Sequence, residues 1–137
     1  PDGAVYPGTC RHLSRDVQET KKAEGTPFAL RLDTARALEI AERLTGNRLT
    51  FMEHGTGPNG ETGRLPADTS AIGDAVIARK DGVIAYHLAV VMADAAQGIT
   101  HIIRGQDLFF APPFHRLLPV LLDLPDPAYI RRMVGVA

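Results

Sequence analysis

The chain predicts an α/β fold with a parallel sheet, and three observations carry that expectation. The second half alternates β-branched apolar runs with helical spacing, in the order strand–helix–strand–helix–strand. A period of two switches to helical spacing at Asp33-Thr34. A stretch rich in Gly, Pro, Asn and Thr, Gly55–Ile72 (GTGPNGETGRLPADTSAI), separates the two halves. Strands joined by helical crossovers in one sheet run parallel, with right-handed connections. We therefore expect a small N-terminal subdomain over 1–72 and an α/β segment over 73–137.

Each element has a local cause. Phe28–Asp33 alternates, with Phe28, Leu30 and Leu32 on one face, and reads as a half-buried strand. Thr34–Leu44 carries a stripe of Ala37, Ile40, Ala41 and Leu44 and reads as a helix ended by Gly46-Asn47. Arg48–Glu53 reads as a short strand, and 55–72 as loop. Ala75–Arg79 is expected as a strand, Lys80–Gly82 as a tight turn, and Ile84–Ala96 as an apolar helix closed by Gly98. Ile99–Arg104 has the composition of a fully buried strand. Leu108–Leu122 follows Asp107 as a helix whose first turn suits Pro112 and Pro113, which lack the amide an interior turn needs. Pro119 predicts a kink or an early end, and Ala128–Val136 another strand.

Composition narrows the function classes. At 137 residues there is room for one domain with a core but not for two of full size. With 45% hydrophobic and 23% charged residues the chain is ordinary for a globular protein, which argues against disorder. A net charge of −1 offers no global attraction to nucleic acid, so an RNA contact must be local. The apolar runs Leu88–Ala93 and Leu117–Leu122 are far shorter than a membrane span. Cys10 is the single cysteine, which excludes an internal disulfide and suits a reducing cytoplasm. Pro1-Asp2-Gly3 reads as a loop rather than a targeting segment, and without an initiator Met the chain is expected to be part of a longer protein.

Three segments coincide, in order, with a known pattern. Tyr6-Pro7-Gly8-Thr9-Cys10-Arg11 is similar to Tyr-x-Gly-x-Cys-Arg, and Tyr86–Val91 to Tyr-x-Leu-Ala-Val-Val. Thr100–Asp107 is similar to Thr-x-x-x-Arg-Gly-x-Asp. Together they resemble the second half of the catalytic domain of glutamyl-tRNA synthetases. Pro27–Asp33 and Gly60–Gly63 favour the short branch, the glutamyl-queuosine tRNA(Asp) synthetases. The resemblance implies a partial class I synthetase Rossmann-like parallel sheet with a small α+β insertion subdomain. It implies a ligase that activates L-glutamate with magnesium-bound ATP and esterifies the queuosine base of tRNA(Asp), as a cytoplasmic monomer. The alternatives are a glutamyl-tRNA synthetase charging tRNA(Glu) and a non-catalytic paralogue that keeps only the scaffold.

The resemblance also assigns residues. Tyr86 and Arg104 match its two glutamate-contacting positions in this half. A guanidinium grips a carboxylate through parallel hydrogen bonds, and a tyrosine hydroxyl both donates and accepts. The bland readings are a structural ion pair for Arg104 and a core-edge ring for Tyr86. Tyr6 and Cys10 match the second half of a zinc site whose Cys-x-Cys half would precede Pro1; otherwise Cys10 is a buried thiol.

Several features depart from the pattern. Neither a His-x-Gly-His-type nor a Lys-x-Ser-Lys-type segment is present, so the 137-residue chain alone is expected to be inactive. Ala93 replaces the first of two aspartates, Pro112 a Thr and Pro119 a Gln. Arg131-Arg132 replace a pair that is often His-His, and Met133–Ala137 does not lead toward a Lys-x-Ser-Lys loop.

His54, His87, His101 and His115 have no metal-site spacing and read as structural or surface residues. The glycine-rich 55–63 lacks the following Lys-Ser/Thr of a phosphate-binding loop. Arg31, Arg36 and Arg48 with Lys21 and Lys22 form either an RNA-facing patch or a solvated charged face.

Overall fold

The computed structural model describes residues 5–105, 108 and 110–131. Gln106 and Asp107 of the third motif, Arg132, and the end of the strand expected to reach Val136 lie outside the described residues.

The order of elements is α1 (Arg15–Ala23), β1 (Leu30–Leu32), α2 (Thr34–Thr45), β2 (Thr50–Glu53), β3 (Gly63–Pro66), β4 (Ala75–Ala78), α3 (Tyr86–Ala96), β5 (His101–Arg104), α4 (Ala111–Leu122) and β6 (Ala128–Arg131). Helix α1 was not expected. It starts at Ser14, whose hydroxyl accepts from the Val17 amide, and it buries none of its residues. With no apolar stripe to reveal it, its sequence signals were Ser14, Asp16 in the first turn, and Lys21 and Lys22 in the last. Helix α2 matches expectation closely. Asp33 caps its start by accepting from the Arg36 amide, and Gly46 ends it at φ 68°.

Two sheets form. One has the order β3–β2–β6–β5, antiparallel between β3 and β2 and parallel elsewhere. The other pairs β1 with β4, antiparallel. The parallel part is thus the unit β5–α4–β6 extended by β2. Each sheet draws strands from both sides of Ile72.

Four expectations need correction. The stretch 55–72 is not all loop, because 63–66 turn back on β2 with Phe51 opposite Leu65. Asn59-Gly60 was the overlooked hairpin signal. Strand β4 does not join the parallel sheet, since its edge is taken by β1. The apolar face of β1 is buried at one end only: Leu32 packs against the core, while Leu30 is 51% and Phe28, before the strand, 49% exposed, because a two-stranded ribbon has too little area to cover both faces. Strand β5 is not fully buried either. It lies at the sheet edge with alternating exposure, Ile102 packing on the core and Ile103 68% exposed.

Helix α4 is the centre of the molecule. It contacts α2, α3 and β2, and buries every residue from Ala111 to Pro119 except Arg116. Phe114 and Leu117 are wholly buried, each worth roughly 1.5–3 kcal/mol of removed apolar surface. Pro119 does not end the helix. It removes the amide that would bond to the His115 carbonyl, yet the helix continues to Leu122 and the Pro119 carbonyl accepts from Leu124. Packing on three neighbours outweighs the lost bond. Arg116 reaches out of this helix to the Thr50 carbonyl and to Asp126, both at 3.1 Å, which ties α4 to β2 and to the approach of β6. Among the described residues no helix is long and apolar enough to cross a membrane.

Candidate functional site

A cleft of about 490 Å³ opens where α3 and α4 begin. Ala85, Tyr86 and His87 form one wall, Leu108, Phe110 and Ala111 another, and Tyr6, Arg31 and Asp74 close the N-terminal side. Among the described residues neither helix start has a side-chain cap. The free amides and positive dipole end of α3 at Tyr86 therefore favour an anion in the cleft.

Tyr86 is the first residue of α3 and is 57% exposed, so it is a cleft residue rather than a core-edge ring. Arg104, the last residue of β5, is not in the wall of the cleft but behind it. Its Nη1 donates to Nδ1 of His115 at 2.6 Å, and His115 Nε2 lies 2.7 Å from Nδ1 of His87. The rings of Tyr86 and His115 are 6.5 Å apart and those of Tyr86 and His87 5.5 Å. Tyr86 and Arg104 are thus gathered into one neighbourhood through two histidines. Arg104 is in no ion pair among the described residues, so it keeps its charge for another partner.

Sequence reasoning missed both histidines as parts of this site. Donor chemistry fixes their tautomers. A guanidinium only donates, so His115 Nδ1 is the acceptor and its Nε2 carries the proton. That proton is donated to His87 Nδ1, which leaves His87 protonated on Nε2. His115 is 1% exposed, and burial, then the Arg104 charge, then His87 push its pKa down to about 3. His87 is lowered in the same direction by burial first and Arg104 second. No spacing rule would have found this chain, because its members come from α3, β5 and α4.

Tyr6 and Cys10 share one turn. The Tyr6 hydroxyl accepts from the Cys10 amide at 2.7 Å, and the Arg31 guanidinium stacks 4.2 Å from the centre of the Tyr6 ring. Cys10 is an exposed free thiol, which overturns the buried alternative. Among the described residues no three His, Cys, Asp or Glu side chains are grouped to hold a metal. This pair supplies at most half of a tetrahedral zinc shell. Arg31 also donates to the Asp74 carbonyl at 2.8 Å, and Arg11 pairs with the Asp74 carboxylate. These two arginines hold the N-terminal segment against the start of β4.

A family model described as tRNA synthetases class I (E and Q), catalytic domain, matches residues 2–135. The chain is 42% identical over 130 residues to the glutamyl-Q tRNA(Asp) synthetase of Nocardia farcinica, covering 94% of this chain and 35% of that protein. It is 42% identical over 130 residues to the Rhodobacter capsulatus protein of the same name, covering 94% and 43%. It is 55% identical over 126 residues to that of Pseudomonas syringae pv. tomato, covering 92% and 35%. The chain spans well under half the length of these relatives. Among solved structures, the glutamate-tRNA synthetase of Elizabethkingia anophelis superposes with a TM-score of 0.71 at 20% identity, over 96% of this chain and 25% of that one. A glutamate tRNA ligase from Elizabethkingia meningosepticum, in complex with its amino acid, gives 0.69 at 21%, over 94% and 24%. At that identity the likeness speaks for the fold.

Proposed function

We propose, from the premise that this chain belongs to the family of class I tRNA synthetase catalytic domains (E and Q), that the whole protein activates L-glutamate with magnesium-bound ATP and transfers it to queuosine in tRNA(Asp). The observation that carries this reading is the 38–55% identity, along nearly all of the chain, to relatives named glutamyl-Q tRNA(Asp) synthetase. The geometry supports the glutamate part. The exposed Tyr86 and the uncapped start of α3 line the cleft, and Arg104, in no ion pair among the described residues, is tied to it through His115 and His87. Together they suit an amino acid with two carboxylates.

In this reading Arg104 grips a carboxylate of glutamate and Tyr86 orients the ligand. ATP is bound largely by signature loops that this chain does not contain. Zinc belongs to the same reading: Tyr6 and Cys10 are two of its ligands, and the remaining cysteines come from elsewhere in the protein. A thiolate binds zinc tightly and zinc itself is redox-inert, so the metal would fasten the Tyr6–Arg11 turn. We assign the protein to the cytoplasm, as a monomer.

The test is ATP–pyrophosphate exchange by the full-length protein, followed by transfer of labelled glutamate to tRNA(Asp) with and without queuosine, and to tRNA(Glu). Exchange with glutamate and labelling of only the queuosine-bearing tRNA(Asp) are expected. Labelling of tRNA(Glu) would make it an ordinary charging enzyme. Absence of exchange would favour the non-catalytic paralogue that Ala93 and Pro119 motivate.

A further inference from the structure

Arg104 is held by a group of unusual charge. An arginine that must meet a ligand carboxylate needs a fixed direction, and a protein commonly sets that direction with Asp or Glu. Such an anchor also neutralises the cation and weakens its pull on the ligand. Here the anchor is the imidazole of His115, bonded to Arg104 Nη1 at 2.6 Å. It is wholly buried and neutral, since burial and the neighbouring guanidinium both oppose its protonation.

His115 is itself aimed. Its Nε2 proton is taken by His87 Nδ1 at 2.7 Å, and the His87 ring stands edge-on to Phe114 at 5.5 Å. Both ring nitrogens of His115 are therefore used, and the ring cannot flip without losing both bonds. Helix α4, packed on three neighbours, holds its backbone. Only one of the five N–H groups of Arg104 is spent on this bond, so a two-pronged grip on a carboxylate remains available.

We propose that His115 is a positioning residue for Arg104: it aims the guanidinium at the ligand carboxylate while leaving its full positive charge in place, and His87 locks its tautomer. This rests on the reading that Arg104 meets glutamate. Neither histidine touches the reacting atoms.

The test uses the full-length protein and two independent readouts. In steady-state ATP–pyrophosphate exchange, His115→Leu should raise the glutamate KM about tenfold or more while the ATP KM stays within about twofold, as expected when a ligand-directed group loses its orientation. His115→Gln supplies an acceptor for Arg104 and a donor for His87, and should return the glutamate KM to within about threefold of wild type. Equal changes in both KM values, or no rescue by Gln, would overturn the proposal. The second readout is the ¹⁵N spectrum of the wild-type histidine rings, which needs no variant to fold. Protonated Nε2 with bare Nδ1 is expected for His115, and a protonated Nδ1 overturns the proposal. A wild type that activates no glutamate sinks the functional reading instead, and the positioning role with it. The His87–His115–Arg104 bonds are then judged separately by the tautomer.

Discussion

The guanidinium of Arg31 stands 4.2 Å from the ring centre of Tyr6, whose hydroxyl accepts the amide proton of Cys10 at 2.7 Å. Strand β1 is thereby clamped to the turn that bears the expected metal ligands. Tyr6 faces the same cleft as Tyr86, so that turn is also part of the cleft wall. A metal that ordered Tyr6–Arg11 would steady the mouth of the cleft as well.

Zinc is expected to be near stoichiometric in the full-length protein, and Cys10→Ser should lower it and loosen the segment up to Pro27. Thiolate binding is coupled to local folding, so elemental analysis and proteolysis of that segment should change together. Zinc-free wild-type protein, or full retention by Cys10→Ser, leaves Cys10 as a plain exposed thiol.

Arg104→Ala should abolish glutamate-dependent pyrophosphate exchange in the full-length protein without unfolding it. A lost charge-assisted contact costs about 2–5 kcal/mol. The side chain lies at the exit of an edge strand, and its loss leaves the buried His115 Nδ1 without its donor, a cost of about 1–3 kcal/mol to the fold. Near-normal exchange by a folded variant would remove Arg104 from the site.

His115 makes stability depend on pH in a definite direction. Its folded-state pKa of about 3 lies below the ordinary 6.5, so between those values only the unfolded chain takes up the proton. The contribution is complete above pH 6.5 and is lost as pH falls, at a limiting slope of about 1.4 kcal/mol per pH unit. The lowered His87 acts in the same sense. From pH 7.5 down to about 5 the urea midpoint of wild type should fall more steeply than that of His115→Gln. Parallel curves would mean that His115 protonates freely.

Gly46→Ala should destabilise the protein by about 1 kcal/mol, the cost of a Cβ in the left-handed region. Gly46 sits at φ 68° with open space around an added Cβ, so the penalty is conformational rather than a clash. The first urea transition of the full-length chain is the measurement, and an unchanged midpoint would show that α2 can end another way.

Local order was legible in the sequence, and so was the family. The alternation ending at Asp33, the helix closed by Gly46, the helix closed by Gly98 and the double proline opening α4 all depend on neighbours within a turn or two. The three motifs pointed to Tyr86, Arg104, Tyr6 and Cys10 as residues to watch. Pairing and burial were decided by the tertiary structure. Whether Leu30 or Ile103 is covered depends on which strand or helix lies beside it, and an apolar composition is the same in either case. The same holds for β3, which exists because β2 offered it an edge, and for β4, which β1 captured. His87 and His115 are 28 residues apart, and Arg104 is 11 from His115. Only the packing of α4 between α2, α3 and the sheet brings their nitrogens within hydrogen-bond distance, in a place dry enough to keep both rings neutral.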